Sequence, residues 1–496
     1  MSPRTAVAAA VAALAALISQ NARAADAIAA HPRDLKFEPL KFDVPKADAY
    51  KFTLKTGQTA YVVEDHSLPL VNIQITMRAG SFLDPKDKPG VAGLTGGMMR
   101  LGGTQKMTAE EFDEAADFLA ANMGTYIGDT SGGANLDCLS RNLDAVLDLF
   151  FDMMKTPRFQ QDRLDIQKGQ ILEGMKQRND DADSILGREW NWLIYGPDHF
   201  SVRQQTKAQL DSITREDLIA FHKTWWRPSN MILAISGDVD AKAIVANLSA
   251  RFAGWNVTGA PVPWPPPAPE WTIKPGLYHV EKDIPQGKVS IGHLGTVWSN
   301  PDQFALQVMN DILGGGGFTS RITKTVRSNE GLAYHASSTF GIGTWFPTDF
   351  SIDYQSKNPT VALAAKLALE EVKKIRTEPV GAEELETSKN GFIESFPRRF
   401  DSKRAMANLW AQDDFIGRPH SYWEAWRDNI RKVSAADVQR VAQKYLQTDK
   451  IAFLVVGKWS EIEPGDPNGR ASMKEFFGGQ VIHLPLRDPL TLQPMK

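Results

Sequence analysis

Along the chain, Val71, Ile73, Ile75 and Met77 alternate with Asn72, Gln74, Thr76 and Arg78, the period-two pattern of a β-strand buried on one face. Thr108 followed by Glu111 makes a capping box ahead of an apolar-periodic run, and Leu143, Val146, Leu147 and Phe150 mark another helix, which Pro157 ends. Strands and helices are interleaved. The long return segments and the amphipathic alternation favour an antiparallel α+β layer over a Rossmann sheet, and no dinucleotide fingerprint is present.

The pattern repeats. Ile213-Thr214-Arg215-Glu216-Asp217-Leu218 and Val433-Ser434-Ala435-Ala436-Asp437-Val438 fall in step at a separation of 220 residues, and the match continues through Trp225 with Tyr445 and Gly237 with Gly457. Each copy ends in an apolar strand, Met231 to Ser236 and Ile451 to Val456. Between the copies, Pro261 to Pro269 is too rich in proline for a helix interior or a central strand and predicts a stiff, extended connector over 257–275. The expected organisation is a duplicated α+β fold: two domains, 37–256 and 276–490, each a mainly antiparallel sheet layered with helices.

Composition changes this picture little. Hydrophobic residues at 42% and charged residues at 23% are ordinary for a globular chain, and 496 residues suffice for two cores. The first residues add a destination. Arg4 precedes an apolar run of 13 residues from Ala6 to Ile18, then Ala22-Arg23-Ala24, which predicts a secretory signal peptide over 1–24 with cleavage after Ala24. The run is short of the roughly 20 residues that span a bilayer, so export to a periplasm is expected and no membrane span. Without those residues the chain carries 54 basic and 59 acidic side chains, a balance with no basic patch for nucleic acid. Cys138 is the single cysteine, which excludes an internal disulfide and a thiolate metal cluster; its alternating surroundings predict a small buried hydrophobe.

The segment Lys88-Pro89-Gly90-Val91-Ala92-Gly93-Leu94-Thr95-Gly96-Gly97-Met98-Met99 follows a strand and opens a helix. Here the chain resembles the pitrilysin family of inverted zinc peptidases, and the likeness covers nearly the whole length after residue 24. In that family this helix carries H-x-x-E-H, two zinc-binding histidines with a glutamate base between them. In this sequence those positions are Gly93, Gly96 and Gly97. The family's third ligand falls at Glu173, 76 residues beyond Gly97, and one carboxylate does not hold a catalytic zinc. The matching helix of the second half offers Ala305, Val308 and Met309, and none of the nine histidines pairs with another at ligand spacing on one helix. No zinc or other metal is expected in this chain. Three interior glycines weaken a helix by roughly 3 kcal/mol relative to alanine, which predicts that another element lies close against it and that Gly97→Leu disturbs folding or pairing.

The second half contains Leu313-Gly314-Gly315-Gly316-Gly317-Phe318-Thr319-Ser320-Arg321, then Val326-Arg327-Ser328-Asn329-Glu330-Gly331-Leu332-Ala333-Tyr334. This string is similar to the family's substrate-positioning element. In the two-chain peptidases of the family, one subunit carries H-x-x-E-H and the other supplies this arginine and tyrosine. The resemblance implies that Arg327 and Tyr334 act on substrate in support of a partner's zinc. Attack on a peptide carbonyl puts negative charge on its oxygen, which preorganised donors such as guanidinium and phenol stabilise. Residue types alone favour a helix-end Arg327 paired with Glu330 and a Tyr334 half buried in a strand; the full string at its family position favours the substrate role. Gly314, Gly315, Gly316 and Gly317 lack the Lys-Ser or Lys-Thr of a phosphate loop. They are either a flexible turn or a place where an extended peptide approaches the backbone, as in the presequence-binding subunit of processing peptidases. Trp190, Trp192, Trp225 and Trp226 suit cores or subunit contacts and are assigned no chemistry.

The expected function is that of a non-metal-binding subunit, inactive alone, which joins a homologous zinc-binding peptidase subunit in a periplasmic heterodimer acting on peptides. The alternatives are a structural or peptide-binding subunit with no proteolytic role, and an independent enzyme with an unrelated metal site.

Overall fold

The computed structural model describes residues 31, 34–35, 41–255, 260–267 and 273–495. The expected signal peptide, and residues 257–259 and 268–272 of the connector, lie outside the described residues. The chain divides into two compact units, 1–43 and 44–496, and both large sheets belong to the second.

In the first half β1 (Lys51–Thr53), β2 (Thr59–Glu64) and β3 (Leu70–Met77) lead into α1 (Val91–Leu101) and α2 (Ala109–Phe118). Then come β4 (Asn122–Ile127), β5 (Gly132–Leu139), α3 (Leu143–Lys155), α4 (Gln161–Lys176), α5 (Ala182–Tyr195), α6 (Lys207–Ser212), α7 (Arg215–Trp225), β6 (Met231–Gly237) and α8 (Ala241–Phe252). The second half runs β7 (Gly276–Glu281), β8 (Gln286–Leu294), β9 (Thr296–Val297), α9 (Gln303–Asn310), β10 (Ala333–Phe340), β11 (Ile342–Gly343) and β12 (Asp349–Lys357). It continues with α10 (Val361–Thr377), α11 (Ala382–Ser395), α12 (Lys403–Ile416), α13 (Ser421–Lys432), α14 (Ala435–Tyr445), β13 (Ala452–Gly457), α15 (Trp459–Ile462) and β14 (Val481–Leu484).

The duplication is visible in the strand order. The first sheet reads β1-β2-β6-β3-β5-β4, and the second, taken in the same sense, β14-β7-β13-β8-β12-β10. In both, the strand that closes the half pairs parallel with the first long strand, β6 on β2 and β13 on β7. The pairs that carry the sheet on to β4 and to β10 are antiparallel. Thr214 and Ser434, the repeat partners, each cap a helix with a reciprocal box to Asp217 and Asp437. The capping box at Thr108 and Glu111 forms as the spacing predicts. Val71, Ile73, Ile75 and Met77 are each at most 1% exposed, so the alternating strand buries the face it should.

The halves exchange one helix each. Ile185, Trp190 and Ile194 of α5, from the first half, pack on Val280, Leu454 and Val456 of the second sheet. The counterpart α12 lies on the first sheet, where Trp410 stacks against Tyr50 at 5.0 Å and meets Tyr61 at 6.0 Å. Polar contacts fix the seam: Trp190 Nε1 donates to Asp349 (2.7 Å), and the Tyr61 hydroxyl donates to Asp414 (2.8 Å). Trp190 therefore fills the junction between halves, in keeping with the bland expectation for it. Cys138 is 3% exposed, and burial aided by Asp137 pushes its thiol up to about 11, which leaves it unreactive. Among the described residues no helix is long and apolar enough to cross a membrane.

His222 on α7 is buried and its Nε2–H donates to the Met154 carbonyl (2.8 Å). Burial holds the ring neutral, with a pKa lowered from 6.5 to about 4. The unfolded chain binds this proton near pH 6.5 and the folded chain does not, so stability is full above that pH and is lost as pH falls towards 4. The loss reaches on the order of 2 kcal/mol by pH 5. Unfolding measured at pH 7.5 and pH 5 should show a smaller difference in His222→Gln than in wild type; an equal difference would assign the acid sensitivity elsewhere.

Candidate functional site

The geometry of α1 is decided at Gly96. A Cβ there would stand 2.3 Å from the backbone nitrogen of Ile127 and 2.7 Å from the carbonyl carbon of Tyr126, closer than any side chain fits. The Thr125 hydroxyl donates to the Gly96 carbonyl (2.6 Å) and ties β4 to the helix. At Gly97 a Cβ would meet nothing within 4 Å, and Gly93 is exposed. The close approach expected of this helix is real, but it falls at Gly96. The expectation that Gly97→Leu disturbs folding is thus corrected, because the helix turns that residue towards open space.

A zinc ion of the family's kind does not fit this site. Gly93 and Gly97 bring no ligand, and Glu173 lies with its side chain 64% exposed and paired to Lys176 at 2.6 Å. Ala305, Val308 and Met309 are buried in α9. His279 and His483 touch through Nδ1 (2.9 Å) on neighbouring strands. Among the described residues no group of three or more His, Cys, Asp or Glu is placed to hold a metal ion.

The second half is differently built. Beyond α9 the chain passes through π-helical turns at Asp311–Gly315 and Thr323–Asn329, and Arg327 belongs to the second. Such turns widen a helix and often accompany functional sites. The pairing of β10 with β12 slips between Ala333 and Ala336, a bulge that turns Tyr334 outward, 86% exposed. The Arg327 guanidinium lies over two rings, 4.4 Å from the centre of Phe318 and 4.7 Å from that of Tyr334. Glu330 is held instead by Arg470, at 2.6 and 2.8 Å. Both bland readings therefore fail: Arg327 is not the partner of Glu330, and Tyr334 is not half buried.

The four glycines divide. A Cβ at Gly314 would meet the Ser338 nitrogen at 2.4 Å, so Gly314 lets the π-turn close on β10, as Gly96 lets α1 close on β4. Gly315 and Gly316 abut Asn310 and Asp311 of the preceding turn, while Gly317, at φ +63, faces open space. The run is thus helical for most of its length. Phe318, the second ring of the arginine stack, was not singled out by the sequence; its signal is an aromatic placed directly after four glycines.

Two duplicated halves, a helix whose zinc positions are glycine, and a half-buried arginine beside an exposed tyrosine define a peptidase-like chain without the metal motif. Residues 60–189 match the family described as insulinase (peptidase family M16), and residues 212–392 the peptidase M16 inactive domain. The chain belongs to the M16 peptidase family, which includes the pitrilysin-like enzymes. It is 21% identical over 397 residues to the non-peptidase homolog YmxG of Helicobacter pylori, covering 79% of this chain and 90% of that one. It is 23% identical over 424 residues to a probable mitochondrial-processing peptidase subunit beta of Arabidopsis thaliana, covering 82% and 77%. The crystal structure of a peptidase M16 inactive domain from Pseudomonas fluorescens superposes with a TM-score of 0.73 at 25% identity, covering 82% of this chain and 97% of that one.

Proposed function

We propose that this chain is the non-metal-binding subunit of a two-chain periplasmic zinc peptidase, with domains at 37–256 and 276–490 and a signal peptide at 1–24. It supplies Arg327 and Tyr334 to peptide bound at a homologous partner's H-x-x-E-H zinc site. The observation that carries the reading is the Arg327 guanidinium held over the rings of Phe318 and of Tyr334, the latter on an exposed bulge, and uncommitted to Glu330. Stacking fixes the plane of the guanidinium and leaves its edge hydrogens to donate to peptide carbonyls. The Tyr334 hydroxyl beside it donates to the carbonyl oxygen on which negative charge develops. The exposed backbone at Gly315 and Gly317 offers an extended peptide a close approach, while Gly314 and Gly316 shape the turn. Zinc, contributed by the partner, supplies the Lewis acid.

The test is reconstitution. The chain without residues 1–24, mixed with an H-x-x-E-H homologue from the same cell, should co-elute with it and hydrolyse peptides that neither hydrolyses alone. The alternative reading, a structural or peptide-binding subunit, predicts stable assembly or peptide binding without any gain in hydrolysis. An unchanged rate on mixing would therefore remove the peptidase role.

A further inference from the structure

An open cavity of about 710 Å³ lies in the first half, between the end of α3, α7 and Trp255, on elements that carry neither the glycines of α1 nor Arg327. Its walls include four cations, Lys155, Arg158, Arg215 and Lys223, and, among the described residues, no carboxylate. The arginines spend their hydrogen bonds on carbonyls. Arg158 donates to Thr104 (2.9 Å) and Gln105 (3.2 Å), and Arg215 to Phe159 (2.9 Å) and Arg158 (2.8 Å). Lys155 likewise donates to the Arg251 carbonyl. These bonds use Nε and Nη2 of each arginine, and the carbonyl oxygens that accept them bring no negative charge. Asp152, the acid that acts on Lys155 through space, is bound to Lys106 at 2.8 Å.

A second observation is independent of charge. Trp226 is 1% exposed and lines the same cavity, yet its indole Nε1–H has no hydrogen-bond partner. A buried donor is costly to leave unpaired, so a polar group brought against this wall has a donor close behind the ring. Trp226, Trp255 and Phe159 supply apolar wall, and the volume is that of a small-molecule site. The four cations cluster without acids over aromatic surface.

We propose that this cavity binds a small organic anion, a carboxylate or phosphate ester carried on a flat apolar body. The anionic group meets Arg158, Arg215 and Lys223, while the body lies against the rings of Trp226 and Trp255. Nothing in this depends on the peptidase role.

Phenyl phosphate titrated calorimetrically into the full chain should bind saturably at one site, about tenfold more tightly than inorganic phosphate or benzyl alcohol, because only it engages both walls. Phenylacetate run alongside decides which anion the site prefers, and saturable binding of either supports the proposal. Lys223 is exposed, so Lys223→Gln keeps the fold; it should weaken binding about tenfold. In nitrogen-15 spectra, the indole signal that disappears in Trp226→Phe should shift on titration. No saturable binding below about 10 mM, equal binding in Lys223→Gln, or an unmoved Trp226 signal would each overturn the site.

Discussion

A chain carrying Gly96→Glu is expected to lose about 3 kcal/mol or more of stability, although the change restores the residue that the family's zinc helix holds at that position. The reason is distance. The first side-chain carbon would sit 2.3 Å from a backbone nitrogen of β4, and backbone in a paired strand cannot step aside as a flexible side chain can. Gly93→His with Gly97→His should behave oppositely, since one position is exposed and the other has open space where its Cβ would be. That double variant should unfold at the wild-type denaturant midpoint or slightly above it, because histidine is the better helix former. Chemical denaturation followed by helical circular dichroism separates the two. A Gly96→Glu chain with the wild-type midpoint would show that α1 and β4 are not in contact. The packing, beyond the missing side chains, thus stands between this chain and a zinc site.

The second large effect belongs to Arg327. In the assembled pair, Arg327→Ala should lower kcat about 10²- to 10³-fold, the usual loss when one preorganised donor to a developing oxyanion is removed. Tyr334→Phe keeps the ring over the guanidinium and deletes only the hydroxyl, so kcat should fall while KM changes little. Arg327→Lys keeps a charge and gives up the flat group that lies over the rings of Phe318 and Tyr334, and it should recover only part of the activity. Phe318→Ala should act mainly on KM, by freeing the guanidinium to take many orientations. Full turnover in both Arg327→Ala and Tyr334→Phe would end their assignment to the reaction.

Much of the fold was legible because it is written locally. The strand at Val71 to Met77 alternates, Thr108 and Glu111 cap a helix, and the duplication shows as a repeat at 220 residues. What stayed hidden depends on which surface an element meets. The apolar face of α5 announces that Trp190 is buried, but nothing in its periodicity says that the second sheet, and not the first, will cover it. The same holds for the glycines of α1. A helix with glycine at 93, 96 and 97 must meet something closely, and only its rotation about its own axis selects Gly96. At the site, Arg327 and Tyr334 were visible through their spacing in a family pattern, whereas Phe318 and the bulge that exposes Tyr334 come from tertiary structure. The cations around Trp226 come from segments far apart in sequence, so no motif could collect them.

The most direct measurement is the metal content of the chain purified by itself, after exposure to excess zinc and gel filtration. Elemental analysis should find well under one zinc per chain, and the same preparation should hydrolyse no peptide until the H-x-x-E-H homologue is added. One tightly held zinc per lone chain, accompanied by hydrolysis, would contradict the reading of Gly93, Gly96 and Gly97 on which the rest stands.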